Sequence, residues 1–529
     1  MLKIFQHDIN NPDHFVVTLE LVPGRDSFGK SVDTILAIAK DAYADGRVSA
    51  VSITDNPGGN PSLSPDVLGY EIFKLGMDVI VHLTCRDMNR IGTESRALQL
   101  ARMGMKNILA LTGDYPRKGF GGRGAPVFDL DSVSLTCMLN MLNTRLTQTG
   151  DPDTFFTGCA VSPFKNTEGE CFAQYAKLCR KVNAGASFII TQLGYDARKY
   201  EELIRIMKAM NINIPVLGSV YLLSPKSARA MNRGLVAGAF VTDSLFEMVL
   251  DEWKNKRHGL KLSVERTARL GVLLKKYGYQ GIHIGGVHRS FKTVAKILDR
   301  MDEIKKSGDD EHSLFSFAVA GDHEPQTTDL SGSETYYVFS DNTKQNPSPT
   351  WEKRLSISEH LKFRFLKKVH DIFFNADSPA APLCRTTAEW IERRNLGRWV
   401  RILIEDPVKG LLLSCQKCGD CGIQHLAFQC PESGCPKHTR NGACGGSKNG
   451  MCEVFPEKRC VWFRAYYRLA SVGRTEEMAS ECVPPRMWEM NHTSSWLNFH
   501  MGRDHQSQSE HMIRACASDR CKFDAKKFD

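Results

Sequence analysis

Two carboxylates lie where apolar segments of the chain end, and both could transfer protons. Glu20 stands between Leu19 and Leu21, where a charged side chain is costly unless it has a partner or a function. Asp114 follows the apolar run that ends at Leu111, at the beginning of a turn rich in glycine and proline. For Asp114 alone, a helix cap or a turn residue is an equally good interpretation. Both are candidates for acid–base chemistry or for contact with a cofactor.

A second candidate site is rich in cysteine. Of 17 cysteines, eight fall in one short segment: Cys415, Cys418, Cys421, Cys430, Cys435, Cys444, Cys452 and Cys460. The odd total, in a chain without an apolar export signal, argues against a disulfide framework and favours metal binding. The C-x₂-C-x₂-C spacing suits a cubane iron–sulfur cluster with a more distant fourth cysteine, and it suits Cys₄ zinc sites as well. Eight thiolates would fill two sites of either kind.

The remaining cysteines of the first 200 residues lie in apolar or helical surroundings, and we expect them to be small core residues. They are Cys85, Cys137, Cys159, Cys171 and Cys179.

Short apolar segments alternate with amphipathic segments over the first 290 residues. The candidate strands are Val16–Leu21, Ala50–Thr54, Asp78–Leu83, Asn107–Leu111, Phe156–Val161, Phe188–Gln192, Ile214–Val220 and Gly281–Gly285. Eight strands alternating with helices predict an α/β fold, a (β/α)₈ TIM barrel. An open doubly wound sheet is the main alternative, but no G-x-G-x-x-G follows the first strand and there is no P-loop. Catalytic groups of such barrels gather at the carboxyl ends of the strands, where Glu20, Thr54, His82, Asp114 and Gln192 fall.

The composition is that of a globular protein with more than one domain. With 529 residues, 42% hydrophobic and 24% charged, the chain can bury a large core. We predict the barrel over residues 1–305, a linker or arm over 306–350, and a smaller α+β metal-binding domain over 351–529 with its core at 415–460. No apolar run reaches the roughly 18 residues of a membrane span, and we expect a cytoplasmic protein. The net charge of +9 is spread among acidic residues and does not predict nucleic-acid binding.

Five motifs of the first domain resemble, in order and at compatible spacing, the strand-end motifs of the methylenetetrahydrofolate reductase family. They are VTLELVP, VSITDN, VHLTCRD, ILALTGDYP and KVNAGASFIITQLGYD, and they extend over roughly residues 10–290. The family is a flavin-binding barrel that passes a hydride from reduced flavin to 5,10-methylenetetrahydrofolate. The resemblance therefore implies an oxidoreductase with a tetrahydrofolate substrate, with FAD favoured over FMN, with NADH or NADPH as a donor, and with a homo-oligomeric assembly.

The resemblance also implies roles for single residues. Glu20 matches the general acid that protonates the bridging nitrogen of the substrate, so that its five-membered ring opens to an iminium. Asp114 matches the aspartate beside flavin and folate, and Gln192 matches the glutamine that hydrogen-bonds the pterin. Flavin-contacting positions of the family are matched by Thr54, His82, Asp114 and Lys181.

The chain departs from the family pattern at two strand ends. After the fifth strand it has Val161-Ser162-Pro163-Phe164 where the family usually has tyrosine, proline and glutamate, so one flavin contact is lost or replaced. The last strand reads GIHIGGVHR, and its His283, His288 and Arg289 have no assigned role.

The second domain resembles the cysteine-rich C-terminal module of methylenetetrahydrofolate reductases from anaerobic bacteria, an accessory subunit or fusion associated with metal centres and electron delivery. The motifs are CGDCG, CPK, NGACGG and CVWFRAYYRL, within roughly residues 380–475. The resemblance implies that electrons reach the flavin through this module from a redox partner, a ferredoxin-like protein or a dehydrogenase subunit. The alternatives are a flavinless folate-barrel methyltransferase with a structural zinc module and a non-catalytic zinc-ribbon binding protein.

Overall fold

The computed structural model describes residues 4–151, 153–308, 336–339, 355–480, 482–508 and 520–524. Most of the predicted linker lies outside the described residues, which include 306–308 and Tyr336–Phe339 of it. The predicted domain boundaries stay predictions.

Eight parallel strands form a closed barrel in which each strand pairs with its neighbour in sequence and the last pairs with the first. The strands are β1 Val16–Leu21, β2 Ala50–Ile53, β3 Val79–Thr84, β4 Asn107–Leu111, β5 Phe156–Val161, β6 Phe188–Thr191, β7 Val216–Tyr221 and β8 Gly281–Gly285. The predicted TIM barrel is confirmed, and the open sheet is excluded by the pairing of Val16 with Gly281. The short hairpin of Lys118–Gly119 and Gly122–Arg123 lies outside the barrel.

The helices of the first domain begin at side-chain caps that the local sequence provides. Ser64, Asn89, Asp131 and Thr167 each accept a hydrogen bond from a backbone N–H in the first turn of the helix that follows. The helices are α1 Ile4–Asn10, α2 Lys30–Asp45, α3 Pro65–Lys74, α4 Arg90–Arg102, α5 Ser132–Gln148, α6 Glu168–Asn183, α7 Ala197–Ala209, α8 Pro225–Asn232, α9 Asp243–Glu252, α10 Lys256–Tyr277 and α11 Lys292–Ser307.

Aromatic side chains fill the amino-terminal end of the barrel. Phe5 of α1 meets Phe188 edge to face at 5.3 Å, and Phe156 stacks on Phe188 at 5.1 Å. Gly158 makes room for this cluster, since a Cβ there would lie 2.3 Å from the Phe188 ring. With this end packed, the barrel interior is open only towards the carboxyl ends of the strands.

The C-terminal part consists of helices joined by long loops. The helices are α12 Ile357–Phe373, α13 Ala381–Arg393, α14 Gly397–Val400, α15 Asp406–Leu413, α16 Pro431–Gly434, α17 Val461–Ala470, α18 Ser495–His500 and α19 His505–Gln508. The predicted α+β character is not found in this part of the described chain, where only isolated bridges join Met451 to Lys448 and Arg459. The cysteine-rich loops are held by turns and side-chain contacts instead of a sheet.

The two parts share one hydrophobic core along α6. Tyr466 of α17 stacks on Phe172 at 5.1 Å, and its hydroxyl donates to Glu168 over 2.6 Å. Gly169 permits this close packing, because a Cβ there would lie 2.9 Å from the Tyr467 ring. We refer to the part from residue 355 onward as the module.

Two cysteines that the sequence assigns to the core are buried there and also form disulfide bonds. Cys179 of α6 forms a disulfide with Cys521, 342 positions away, and Cys137 is also disulfide-bonded. Both are buried in the core as predicted, whereas their disulfide bonds were not predicted. For Cys179 the partner comes from the C-terminal tail, which packs against α6. Cys85, Cys159 and Cys171 are free and buried as predicted.

Within the described ranges, none of the helices combines the length and the apolar character needed to cross a membrane.

Candidate functional site

Glu20 points into the carboxyl end of the barrel, on the inward face of β1 that it shares with Val16 and Thr18. Next to it lie Tyr221 and Gly285, and a Cβ at Gly285 would come within 3.1 Å of Glu20 Oε2. Burial raises the pKa of Glu20 to about 7. Among the described residues the Glu20 carboxyl group has no ion-pair or hydrogen-bond partner, so it can hold a proton near neutral pH and give it to a bound molecule.

Two histidines and a threonine line the same interior. His283 contacts Thr18 Oγ1 through Nδ1 at 2.8 Å. Burial, and to a smaller extent the nearby His82, lower the pKa of His283 to about 3. Burial likewise lowers the pKa of His82 to about 4, so both rings are neutral at physiological pH. Within the described chain, His82 Nε2 and Thr54 Oγ1 are buried polar atoms without a protein partner. Such atoms normally bind a ligand or water, and they suit the edge of a flavin ring.

Asp114 is held at the mouth by the loop that follows β2. Its Oδ2 accepts a hydrogen bond from Gly58 N over 2.9 Å, and Arg117 N donates to Gly59 O over 2.8 Å. Gly113 has φ +90°, and a Cβ there would lie 3.0 Å from Thr84, so only glycine fits this turn. The carboxylate is thus fixed by backbone groups that local sequence patterns do not reveal.

Gln192 lies directly after β6, where a loop of the barrel and a loop of the module meet. Its Nε2 donates to Ala237 O over 3.3 Å, and its Oε1 accepts from Leu193 N over 2.9 Å. A Cβ at Gly238 would lie 3.2 Å from Gln192 Nε2 and 3.0 Å from Gly445 O of the module. The module therefore reaches the mouth of the barrel at this glutamine.

The structure does not group Lys181 with Thr54 and His82. Its Nζ donates to Ala160 O over 2.6 Å near Cys159, and burial lowers its pKa to about 8. Lys181 belongs to α6, and its side chain extends from this helix to β5. Its contact with flavin stays a prediction.

Two further lysines bind the module, a role that the sequence did not predict. Lys165 is 1% exposed and donates to Gly445 O and Ser447 O over 2.5 and 2.6 Å. Lys177 donates to Gly442 O over 3.2 Å. Both hold the NGACGG loop of the module. Lys165 precedes α6 and Lys177 lies within it, and neither position carries a local sequence signal for contact with a distant loop.

The eight clustered cysteines fall into two groups of four. Cys415, Cys418, Cys421 and Cys430 line a single cavity, which we call the first tetrad. Charged side chains of both signs also line this cavity. Lys409 forms an ion pair with Glu405, and Arg440 forms ion pairs with Asp420 and Glu432.

The second tetrad consists of Cys435, Cys444, Cys452 and Cys460. Cys435 lies close enough to each of the other three cysteines for its charge to raise the pKa of their thiols. Its member Cys444 precedes Gly445, so this tetrad is the one beside the barrel mouth. In the described residues, no three Cys, His, Asp or Glu side chains are drawn together around a common point that would hold a metal ion.

Sequence comparisons relate both parts of the chain to one family. The profile described as methylenetetrahydrofolate reductase matches residues 5–302, and the profile described as methylene-tetrahydrofolate reductase C terminal matches residues 400–489.

Individual relatives are more distant. The probable methylenetetrahydrofolate reductase (NADPH) of Caenorhabditis elegans is 26% identical over 259 residues, 48% of this chain and 36% of the worm protein. Methylenetetrahydrofolate reductase 1 of Schizosaccharomyces pombe is 27% identical over 232 residues, 42% of this chain and 37% of the yeast protein. The 5,10-methylenetetrahydrofolate reductase of Pectobacterium carotovorum is 28% identical over 153 residues, 28% of this chain and 46% of that protein. The matched region thus spans less than half the length of each of these relatives.

Among solved structures, one match is an uncharacterized protein from Clostridium thermocellum that binds two copies of 5-methyl-5,6,7,8-tetrahydrofolic acid. The TM-score is 0.39 and the identity 14%, over 57% of this chain and 99% of that one. The profile of the reductase family, however, matches residues 5–302 of 529, which is more than half of the sequence. The chain therefore belongs to the methylenetetrahydrofolate reductase family.

Proposed function

We propose that the barrel interconverts 5,10-methylenetetrahydrofolate and 5-methyltetrahydrofolate with a bound flavin, FAD in preference to FMN. The observation that carries the proposal is Glu20, an inward carboxyl group at the barrel mouth with a pKa of about 7. Ring opening of the substrate needs a proton donor at neutral pH, and an ordinary glutamate would already have lost its proton. Membership of the family supports the same chemistry.

The residues at the barrel mouth have separate tasks in this reaction. Glu20 gives its proton to the bridging nitrogen of the substrate, and the ring opens to a cationic iminium. Asp114, held by Gly58 N, places a negative charge near that cation. Gln192 has an amide that can bind the pterin, while Thr54 and His82 offer unpartnered polar atoms to the flavin. The flavin, when bound, supplies the hydride.

The pKa of Glu20 predicts how folate reduction depends on pH. The acid must be protonated to act, so the rate of the folate half-reaction should be constant well below pH 7 and fall above it, approaching tenfold per pH unit. Anaerobic stopped-flow mixing of reduced enzyme with 5,10-methylenetetrahydrofolate over pH 5.5 to 9 measures this limb. A Glu20→Gln variant should retain only its low residual rate without the limb, and an unchanged limb in that variant would assign it to another group.

We also propose that both tetrads bind metal, as iron–sulfur clusters or as zinc, and that the module passes electrons from a redox protein partner to the flavin. The support is the separation of eight cysteines into two groups of four, one lining a cavity and one beside the mouth. NADH or NADPH is the alternative donor, and the physiological direction of the reaction can be either.

An anaerobic absorption spectrum with iron and zinc analysis tests both proposals. Flavin bands with a broad shoulder that dithionite bleaches, and with stoichiometric iron, would support electron delivery. Flavin with zinc alone would make the module structural, and a protein that binds no flavin after reconstitution would contradict the reductase.

The two-site arrangement predicts the effect of losing one ligand. Cys421→Ser should lower the metal content to about half, because one of two sites loses an essential thiolate. Cys384→Ser is the matched control, since Cys384 is a buried free cysteine outside both tetrads. Unchanged metal in the Cys421 variant would contradict a site in the first tetrad.

A further inference from the structure

Lys437, in the CPK motif of the module, reaches into the active-site end of the barrel. Its side chain is 3% exposed, and its Nζ donates to Gly113 O over 2.8 Å although the two residues are 324 positions apart. Gly113 belongs to the turn that carries Asp114. A residue of the module thus contacts the backbone that positions a predicted active-site carboxylate.

The charge of Lys437 is shared between the two parts of the protein. Lys437 forms an ion pair with Glu453, and it is within electrostatic range of Asp114. Glu453 in turn accepts a hydrogen bond from the Cys444 thiol over 3.4 Å. A continuous series of charged and polar groups therefore leads from the second tetrad to the Asp114 turn.

Contacts other than that of Lys437 also hold the module on the barrel. Lys165 and Lys177 already bind the carbonyl groups of the NGACGG loop, and Asp131 accepts hydrogen bonds from the backbone N–H groups of Arg440 and Asn441. These contacts hold the loop on the barrel, whereas Lys437 contacts the turn that bears Asp114. Its buried positive charge has a cost that a purely structural contact would not need.

We propose that Lys437 is a positioning residue of the barrel site, which the module supplies in order to fix the Gly113–Asp114 turn and to offset the charge of Asp114. The inference rests on the proposed function. It makes the module a part of the folate-reducing site itself, in addition to any role in electron delivery. The consequence is that the charge balance beside the flavin depends on a residue of the module.

Lys437→Met keeps the aliphatic stem and removes the charge. We expect the rate of flavin oxidation by 5,10-methylenetetrahydrofolate to fall about tenfold or more, because a misplaced active-site group is costly. We also expect a more negative flavin midpoint potential, since a positive charge that favours reduced flavin is gone. Lys448→Met is the matched control: this exposed module lysine lies over Phe240 of the barrel and makes no described contact with the turn.

A second variant tests the direction of the shift in the flavin midpoint potential. Glu453→Gln removes the partner of Lys437 and should move the flavin potential in the positive direction, opposite to Lys437→Met. Metal content and unfolding temperature are measured for all three variants, so that a loss of structure is recognised. Native rate and potential in a folded Lys437→Met protein, equal losses in Lys448→Met, or shifts of the same sign in both charge variants would overturn the inference. Failure of the proposed function is distinguishable, because then the native enzyme itself would not be oxidised by the folate.

Discussion

Glu20→Gln should slow the reduction of 5,10-methylenetetrahydrofolate by about 10²- to 10⁴-fold, the range that a positioned general acid contributes. The amide has nearly the size of the protonated carboxyl group but cannot give up a proton to the substrate nitrogen. Reduction of the flavin by an artificial donor needs no such proton and should stay within about twofold of the native rate. The two half-reactions are measured separately by anaerobic stopped-flow absorbance.

The matched control is Glu247→Gln, which makes the same chemical change at an exposed position of α9. Both half-reactions should be native in this variant. If Glu20→Gln lost both half-reactions to a similar extent, its effect would lie in flavin binding or folding, and the acid role would be contradicted.

Among the substitutions proposed for this protein, Asp131→Ala should lower the free energy of unfolding the most. The Asp131 side chain is buried, and it accepts hydrogen bonds from the N–H groups of Val133 and Ser134 in the barrel and of Arg440 and Asn441 in the module. Loss of the helix cap costs about 1 kcal/mol. The two module N–H groups left without a partner add about 1 to 3 kcal/mol each, so we expect the free energy of unfolding to fall by about 3 to 7 kcal/mol in all.

Urea unfolding followed by circular dichroism and by tryptophan fluorescence measures this loss. Because the substitution removes a link between the two parts, the transitions seen by the two probes should separate. Asn89→Ala is the control, since Asn89 caps α4 at an exposed site through Gly92 N alone and its loss should cost about 1 kcal/mol. An equal cost in both variants would show that the module contacts of Asp131 contribute nothing.

The barrel could be predicted because strands buried on both faces leave a strong local signal. The predicted strands Val16–Leu21, Asn107–Leu111, Phe156–Val161 and Gly281–Gly285 have the bounds found in the structure, and the other four differ by one or two residues at one or both ends. Once these bounds are known, the inward positions follow from the alternation of side chains. The placement of Glu20 in the mouth could therefore be inferred from sequence.

The contacts between barrel and module could not be predicted in this way. Lys437 and Gly113 are 324 positions apart, and Cys179 and Cys521 are 342 apart. Neither pair leaves a periodic pattern, because each depends on how two folded surfaces meet. Asp131 illustrates what sequence alone can predict. Its role as a helix cap is encoded by the next three residues, whereas its role as an anchor depends on a loop 310 positions away.

The most direct test of the proposed chemistry is a single-turnover experiment with the native protein. Flavin-reconstituted enzyme is reduced anaerobically and mixed with 5,10-methylenetetrahydrofolate, while flavin absorbance is followed and the folate product is identified by mass spectrometry. We predict reoxidation of the flavin with formation of one 5-methyltetrahydrofolate per flavin. Flavin that stays reduced in the presence of excess folate, with no methyl product, would contradict the account.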